Sequence, residues 1–165
     1  MILDLFEGPK HPYVVVMMNK AITITESIAF DLPAEEVWAY VEDYSNDINW
    51  RTGLVEMTPT PPGPPSIGTS VHEVVKKAGS TYVTKSMVTE VGERSYRFSG
   101  AGTSGGVSGG RSVSENGEDQ AVFTYDIELR LSGLQALAAP VVHRFMRSSL
   151  RNDLERLQLT IGNSD

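Results

Sequence analysis

The first periodic segment of the chain has the two-residue repeat of a β-strand. Residues 21–30 place apolar side chains on alternate positions, with Thr and Ser between them (Ile22, Ile24, Ile28 and Phe30). This pattern predicts a half-buried strand, although Glu26 falls on its apolar face. Pro33, Glu35 and Glu36 then predict the start of a helix, because Pro suits a first helical turn and acids favour its positive end. The polar residues 43–49 predict a broken second helix ending at Trp50.

A run of strands follows a turn at residues 59–65 that holds five prolines. Strand-like segments lie at 54–60, 69–77, 80–91, 96–103 and 111–115. The glycine-rich segment 100–110 predicts a flexible hairpin whose glycines leave room at a cavity or let the strands bend sharply. Asn116-Gly117 is a strong turn signal before the clearest strand. One face of that strand is apolar, and the other is mostly polar. The apolar face holds Phe123, Tyr125, Ile127, Leu129 and Leu131. A strand with one apolar face predicts an antiparallel sheet covered on one side.

The end of the chain has helical periodicity. An apolar stripe recurs every three to four residues along 141–161 (Val142, Met146, Leu150, Leu154, Leu157 and Ile161). Ser132 and Gln135 predict a capping box, and Pro140 predicts a kink near the start of this helix. At 1.5 Å per residue the helix is roughly 31 Å long, enough to cross a strongly bent sheet. The pattern therefore predicts an α+β fold in which the dry sheet face covers this stripe.

Composition narrows the function classes. The chain has 165 residues, no Cys, and 14 Lys and Arg against 21 Asp and Glu, which gives a net charge of −7. That length fits one domain, and the absent thiols exclude disulfides, thiol catalysis and thiolate metal sites. The negative charge disfavours nucleic acid as the main partner. No apolar run approaches the ~18 residues of a membrane span, and the N-terminus is a poor signal peptide, so we expect a cytoplasmic protein.

Two segments resemble a known superfamily. Residues 28–38 read IAFDLPAEEVW and are followed by Asp43 and Trp50, while residues 148–157 read SSLRNDLERL. Together they resemble the polyketide cyclase/dehydrase and START-like superfamily, which includes the Bet v 1 type proteins, and the second segment is similar to bacterial members. The resemblance covers about 20–161 and implies a helix-grip fold: a seven-stranded antiparallel sheet curled around a long C-terminal helix, with two short helices after the first strand. It also implies a hydrophobic cavity.

Three residues are candidates for acid/base chemistry in such a cavity. Glu26 on the dry face would have a raised pKa if buried, but a bulge or an Arg or Lys partner would make it structural. His143 borders the apolar stripe of the last helix, and imidazole titrates near neutral pH. Tyr125 faces inward, so its hydroxyl either orients a ligand or bonds to the backbone or water.

Ligand contacts are expected from a second set of residues. The resemblance puts Trp50 near the cavity mouth and Trp38 in the core. Arg111 could bind an anionic ligand group or neutralise Glu26 if it points inward, and an outward Arg111 would have no role. The predicted ligand-binding set is Trp50, Tyr82, Phe98, Arg111, Phe123 and Met146. The three His residues are scattered, so we expect no metal site, and no motif implies a cofactor.

Three functions remain open. The sequence favours binding or carriage of a hydrophobic small molecule, including aromatic and lipid-like ones, over a cyclase or dehydratase using the same cavity. A protein-interaction module that uses the proline turn or the C-terminal Arg residues comes third. We expect a START-like domain at 20–162, as a monomer or homodimer. Residues 1–19 would be either an extension or an ordered arm, since Tyr13 to Val16 is β-prone.

Overall fold

The computed structural model describes residues 19–103 and 105–162 and shows seven strands with four α-helices. The strands are β1 (Asn19–Phe30), β2 (Leu54–Thr60), β3 (Ser70–Lys77), β4 (Ser80–Gly92), β5 (Ser95–Gly102), β6 (Gly105–Glu115) and β7 (Ala121–Ser132). The helices are α1 (Ala34–Val41), α2 (Asp47–Trp50), α3 (Leu134–Leu137) and α4 (Ala139–Gly162), and a 3₁₀ turn occupies Tyr44–Asn46. This order confirms the predicted helix-grip architecture.

The strands form one antiparallel sheet in the order β1-β7-β6-β5-β4-β3-β2. β1 and β2 are its edges, and β1 pairs with β7 along its whole length, from Asn19 opposite Ser132 to Phe30 opposite Ala121. Because the strands run in alternating directions, the β3–β4 turn, the β5–β6 turn, the start of β1 and the end of β7 all lie at one end of the sheet.

The core lies between the sheet, the two short helices after β1 and α4. The stripe of α4 is buried as predicted at Leu150, Leu154, Leu157 and Ile161. Val37, Trp38 and Val41 of α1 and Trp50 of α2 are also buried. The inward positions of β7 are buried or half-buried, as their alternation predicted. Within the described part, no helix has the length and apolar character that a bilayer crossing requires.

The glycine-rich segment differs in part from its prediction. β5 and β6 form the expected hairpin, with Gly102 opposite Gly105, but residues 105–110 belong to a regular strand; residue 104 lies outside the described residues. At Gly109, an added Cβ would lie 2.2 Å from the carbonyl oxygen of Asp126 on β7. The absence of side chains therefore permits close backbone approach within the sheet, so these glycines shape a strand.

The start of the last helix also differs. Gly133 caps α3 with φ 56°, a left-handed conformation that suits glycine, so Ser132 stays in β7 and the predicted capping box does not form. The helix is interrupted at Ala138, and Pro140 lies in the first turn of α4, where its missing N–H breaks no hydrogen bond. Of the predicted extension or arm at residues 1–19, Asn19 belongs to β1 and residues 1–18 lie outside the described residues.

Candidate ligand-binding cavity

A cavity of about 590 Å³ lies between the sheet and α4. Its walls are mostly apolar and come from inward positions of β2 to β7 and from one side of α4; they include Val71, Phe98, Ile127, Leu129, Val142 and Met146. The alternation of the strands explains this lining, since every second residue points to the same face. The cavity has the size and the character of a small-molecule site.

The cavity has an open end and a closed end. At the open end, which we call the mouth, lining residues from the β3–β4 turn, the end of β5, α3 and the start of α4 are exposed: Ala78, Thr103, Gln135, Val141 and Phe145. At the closed end the lining is at most 4% exposed: Tyr44, Tyr96, Arg111 and Tyr125. A ligand would therefore enter beside the start of α4.

A buried ion pair forms the closed end. Arg111 on β6 is 1% exposed and donates to both carboxylate oxygens of Asp47, at 2.8 Å to Oδ1 and at closer range to Oδ2. It also donates to the carbonyl oxygen of Val41 at 3.0 Å. Burial disfavours the charged guanidinium, but the Asp47 carboxylate more than compensates and raises the pKa of Arg111 well above its usual range. Arg111 is therefore a permanent cation pointing inward.

Three aromatic rings surround that cation. The Arg111 guanidinium carbon lies 4.9 Å from the ring centre of Tyr125, 5.2 Å from Trp50 and 5.9 Å from Tyr96. Ring faces attract a cation, so these contacts add to the ion pair and fix the guanidinium plane.

A second ion pair extends the network along the cavity wall. Arg51 donates to Glu73 Oε2 at 2.5 Å and to Asp47 Oδ2 at 3.3 Å. Burial opposes ionisation of Glu73, but the Arg51 guanidinium outweighs it and lowers the pKa of Glu73. The same attraction raises the pKa of Arg51 against its own burial. Glu73 is thus held as a carboxylate.

A smaller polar cluster lies on the α4 side. Lys77 Nζ donates to the Ser149 hydroxyl and lies 3.9 Å from Asp153 Oδ2. Asp153 also accepts a bond from the backbone N–H of Thr52 at 2.9 Å. All four residues line the cavity, and they connect α4 to β3 and to the loop before β2.

Two buried polar atoms of the closed end lack a hydrogen-bond partner within the described residues. They are the Tyr44 hydroxyl oxygen and Nε of Arg111. Burial raises the pKa of Tyr44 and, more strongly, that of Tyr96, so both phenols stay protonated at neutral pH. The closed end therefore offers donors to an oxygen atom.

The structure brings together five of the nine predicted site residues. Tyr125, Tyr82, Phe98, Arg111 and Met146 line the cavity. Trp50 and Phe123 are fully buried behind the lining, where their rings pack edge-to-face at 6.2 Å. His143 is half-buried on α4 and, like Glu26, is not part of the lining.

The surroundings of Glu26 contradict its expected raised pKa. Arg147 Nε donates to Glu26 Oε1 at 2.6 Å, and Arg151 donates to Oε2 at 3.3 Å. The hydrogen bond from Arg147, with Arg151 beside it, lowers the pKa of Glu26. Glu26 is an ion-pair residue between β1 and α4, which is the structural alternative that its sequence position left open.

Replacement of Glu26 by Gln is expected to lower the free energy of unfolding by at most about 1 kcal/mol, because Arg147 and Arg151 are half exposed. A lowered folded-state pKa stabilises the protein at pH above the ordinary value of 4.5, and this contribution is lost as the pH falls through the lowered pKa. Urea denaturation of both proteins across that range measures the difference. A difference that grows on acidification would contradict the assignment.

Sequence reasoning missed Asp47, Arg51 and Glu73. Two signals were present: Asp47 and Arg51 are spaced i, i+4 across a short helix, and Glu73 alternates with Val71 and Val75 on an inward face. The acidic lining residues Glu73 and Asp153, and Asp47 buried behind the lining, each lie beside an Arg or Lys. Among residues 19–103 and 105–162, no three His, Asp or Glu side chains gather in a way that could hold a metal ion.

Several solved structures have a fold similar to that of this chain. A START superfamily protein from Mycobacterium smegmatis matches with a TM-score of 0.72 at 14% identity, over 87% of this chain and 99% of that one. An aromatase/cyclase from Streptomyces matches at 0.72 and 11% identity, over 87% and 94%. Norcoclaurine synthase from Thalictrum flavum matches at 0.64 and 11%, over 89% and 97%. Comparison with the curated proteins gives no match.

These likenesses show the fold, which is a helix-grip fold of the START and Bet v 1 type. A family profile described as polyketide cyclase / dehydrase and lipid transport matches residues 21–162. The chain therefore belongs to that family.

Proposed function

We propose that this protein binds and carries a hydrophobic small molecule, aromatic or lipid-like in its body, with an oxygen atom at one end. The observation that carries the proposal is the cavity of about 590 Å³, whose walls are apolar and whose closed end is polar. Apolar walls supply affinity through the removal of surface from water, and a few fixed donors supply orientation.

The closed end selects the polar part of the ligand. The Tyr44 hydroxyl and Arg111 Nε are buried donors without a partner in the described residues. A buried donor left unpaired costs about 1–3 kcal/mol, so a ligand carbonyl, phenol or carboxylate oxygen that accepts from either would be favoured. The aromatic side chains of Tyr82 and Phe98 line the cavity between the mouth and the closed end, where Tyr96 lies, and they suit a planar body.

A cyclase or dehydratase in the same cavity is the second candidate, and the family description favours it. The residues predicted for it do not meet, because Tyr125 lines the cavity while Glu26 and His143 do not. Glu73 is a lining carboxylate, but Arg51 holds it ionised in a 2.5 Å contact. Buried phenols with raised pKa values can donate a hydrogen bond but are poor bases at neutral pH. We therefore place carriage ahead of catalysis.

Binding is tested with Nile red, a planar apolar dye that carries a carbonyl oxygen. Ile127→Trp adds an indole inside the cavity wall and is expected to weaken dye binding at least ten-fold, which corresponds to about 1.4 kcal/mol. Lys85→Trp adds the same ring on the exposed side of β4 and is the matched control. Fluorescence titration of the purified proteins measures both dissociation constants.

Equal dissociation constants for the two variants would exclude the cavity as the binding site. Native mass spectrometry of the purified wild-type protein, followed by denaturing extraction, identifies any retained compound. Re-incubation of that compound with the protein then separates the two functions. An unchanged mass together with an unchanged chromatographic retention time supports carriage. A shifted retention time at the same mass identifies a cyclase, because ring closure alone conserves all atoms, and a loss of water identifies a dehydratase.

A further inference from the structure

We propose that the mouth of the cavity docks onto an anionic lipid surface, so that the opening faces the bilayer. The proposal depends on two features that coincide at the mouth: exposed apolar side chains and an excess of positive charge. It goes beyond the binding function, because docking is measured without any cavity ligand.

The apolar feature is formed by α3 and the first turns of α4. Leu134 is 85% exposed, Leu137 63%, Val141 72% and Phe145 46%. The two Leu are spaced i, i+3 and the other two i, i+4, so each pair lies on one helix face. Val141 and Phe145 also line the cavity, so the apolar surface continues from the outside into the cavity. Exposed apolar surface beside an opening is typical of an interaction site.

The electrostatic feature is the charge of the segments at the mouth end of the sheet, which is the end that holds the β3–β4 and β5–β6 turns. Residues 19–22, 54–56, 74–84, 100–103, 105–108 and 128–147 carry two acidic residues, Glu56 and Glu128, although the whole chain has a net charge of −7. The same segments carry six cations: Lys20, Lys76, Lys77, Arg130, Arg144 and Arg147. The remainder of the molecule is therefore strongly acidic, and the positive charge is concentrated around the mouth.

Three of the cations have acidic neighbours. Arg130 pairs with Glu128, Arg147 with Glu26, and Lys77 lies near Asp153. Lys20, Lys76 and Arg144 are exposed, and none of them has an ion pair with another described residue. These three charges remain available to a negatively charged partner.

An anionic bilayer fits both features at once. Exposed Leu and Val side chains insert at the boundary between headgroups and acyl chains, and nearby cations bind anionic headgroups. The acidic remainder of the protein is repelled by the same surface, which fixes the orientation with the mouth toward the lipid. A second copy of the chain would bring two positive mouths together and is disfavoured. A hydrophobic ligand could then pass between bilayer and cavity without crossing water.

The apolar contribution is tested by co-sedimentation of the full chain with vesicles of phosphatidylcholine and phosphatidylglycerol. The double variant Leu134→Ser/Leu137→Ser is expected to lower the partition coefficient at least ten-fold, since two large apolar side chains no longer enter the lipid. The matched control is Ile67→Ser/Leu159→Ser, whose side chains are 71% and 65% exposed but lie away from the mouth. It should bind as the wild type does.

The charge contribution is tested on the same vesicles. Arg144→Gln is expected to weaken binding about five-fold, as one fewer cation contacts the anionic leaflet. Arg156→Gln, on the same helix but about 18 Å farther along it, should have little effect. Binding should also fall as salt is raised and should be weakest on vesicles of phosphatidylcholine alone.

Several results would overturn the proposal. The first is failure of the full chain to sediment with anionic vesicles, and the second is equal weakening in the control variants. Light scattering without lipid gives a third: a dimer that Leu134→Ser/Leu137→Ser converts to a monomer would show that a second copy covers the patch. The fourth is vesicle binding that appears only after residues 1–18 are removed, because that segment would then be the occupant.

Discussion

Replacement of Arg111 by Met is expected to lower the free energy of unfolding by about 3–5 kcal/mol. The substitution removes the cation that contacts both carboxylate oxygens of Asp47, and it leaves that carboxylate buried. Arg51 still lies 3.3 Å from Asp47, which moderates the loss without replacing the bidentate contact. Urea denaturation followed by far-ultraviolet circular dichroism measures the change.

The matched control is Arg97→Met. Arg97 on β5 also makes a two-bond contact with a carboxylate, at 3.2 and 3.0 Å from Asp126, but its side chain is half exposed. An exposed pair of this kind contributes at most about 1 kcal/mol. Equal losses for Arg111→Met and Arg97→Met would contradict the view that burial makes the Arg111 pair indispensable.

Two further variants keep the test informative if Arg111→Met does not fold. Arg111→Lys retains the charge but loses the planar two-bond geometry, so it should fall between wild type and Arg111→Met. The double variant Arg111→Met/Asp47→Leu removes both charges and should recover part of the loss, since no isolated carboxylate remains. A double variant less stable than Arg111→Met would contradict this explanation.

The fold was predictable because its signals are local. Alternation in residues 123–131 identified the inward face of β7, and the three-to-four repeat after Val142 identified the buried stripe of α4. Given the order of the elements, few folds could bury both the apolar face of β7 and the apolar stripe of α4. The helix cap was placed wrongly at Ser132, because Gly133, with its positive φ, follows the end of β7 in a way that no apolar periodicity reveals.

The candidate site was only partly predictable, because its partners are distant in sequence. The inward direction of Tyr125 follows from strand alternation, and it was correct. The role of Glu26 depends on Arg147, 121 residues away, and that of Arg111 on Asp47, 64 residues away. A pattern along the chain gives the face on which a side chain lies. The charge that faces it is decided by helix packing, so the sequence could not choose between a raised pKa of Glu26 and an ion pair with an Arg or Lys.

Gly109→Ala is expected to destabilise the protein by about 1–3 kcal/mol, the range for overpacking of a closely packed site. The new methyl group would lie 2.2 Å from the Asp126 carbonyl oxygen and 3.0 Å from Cζ of Phe98. The first contact is with backbone of the neighbouring strand, so β6 and β7 must separate or twist to admit it. Phe98 lines the cavity, and its displacement should also weaken Nile red binding.

Gly106→Ala on the same strand is the matched control. Its added methyl group would lie 3.5–3.8 Å from side-chain carbons of Arg130, which is ordinary van der Waals contact. Because alanine restricts the unfolded chain more than glycine does, this change should be neutral or stabilising by up to about 1 kcal/mol. Opposite signs in urea denaturation would show that β6 needs glycine where strands approach closely. Equal effects would mean that backbone entropy alone governs this stretch, and the glycines would then have no part in shaping the cavity.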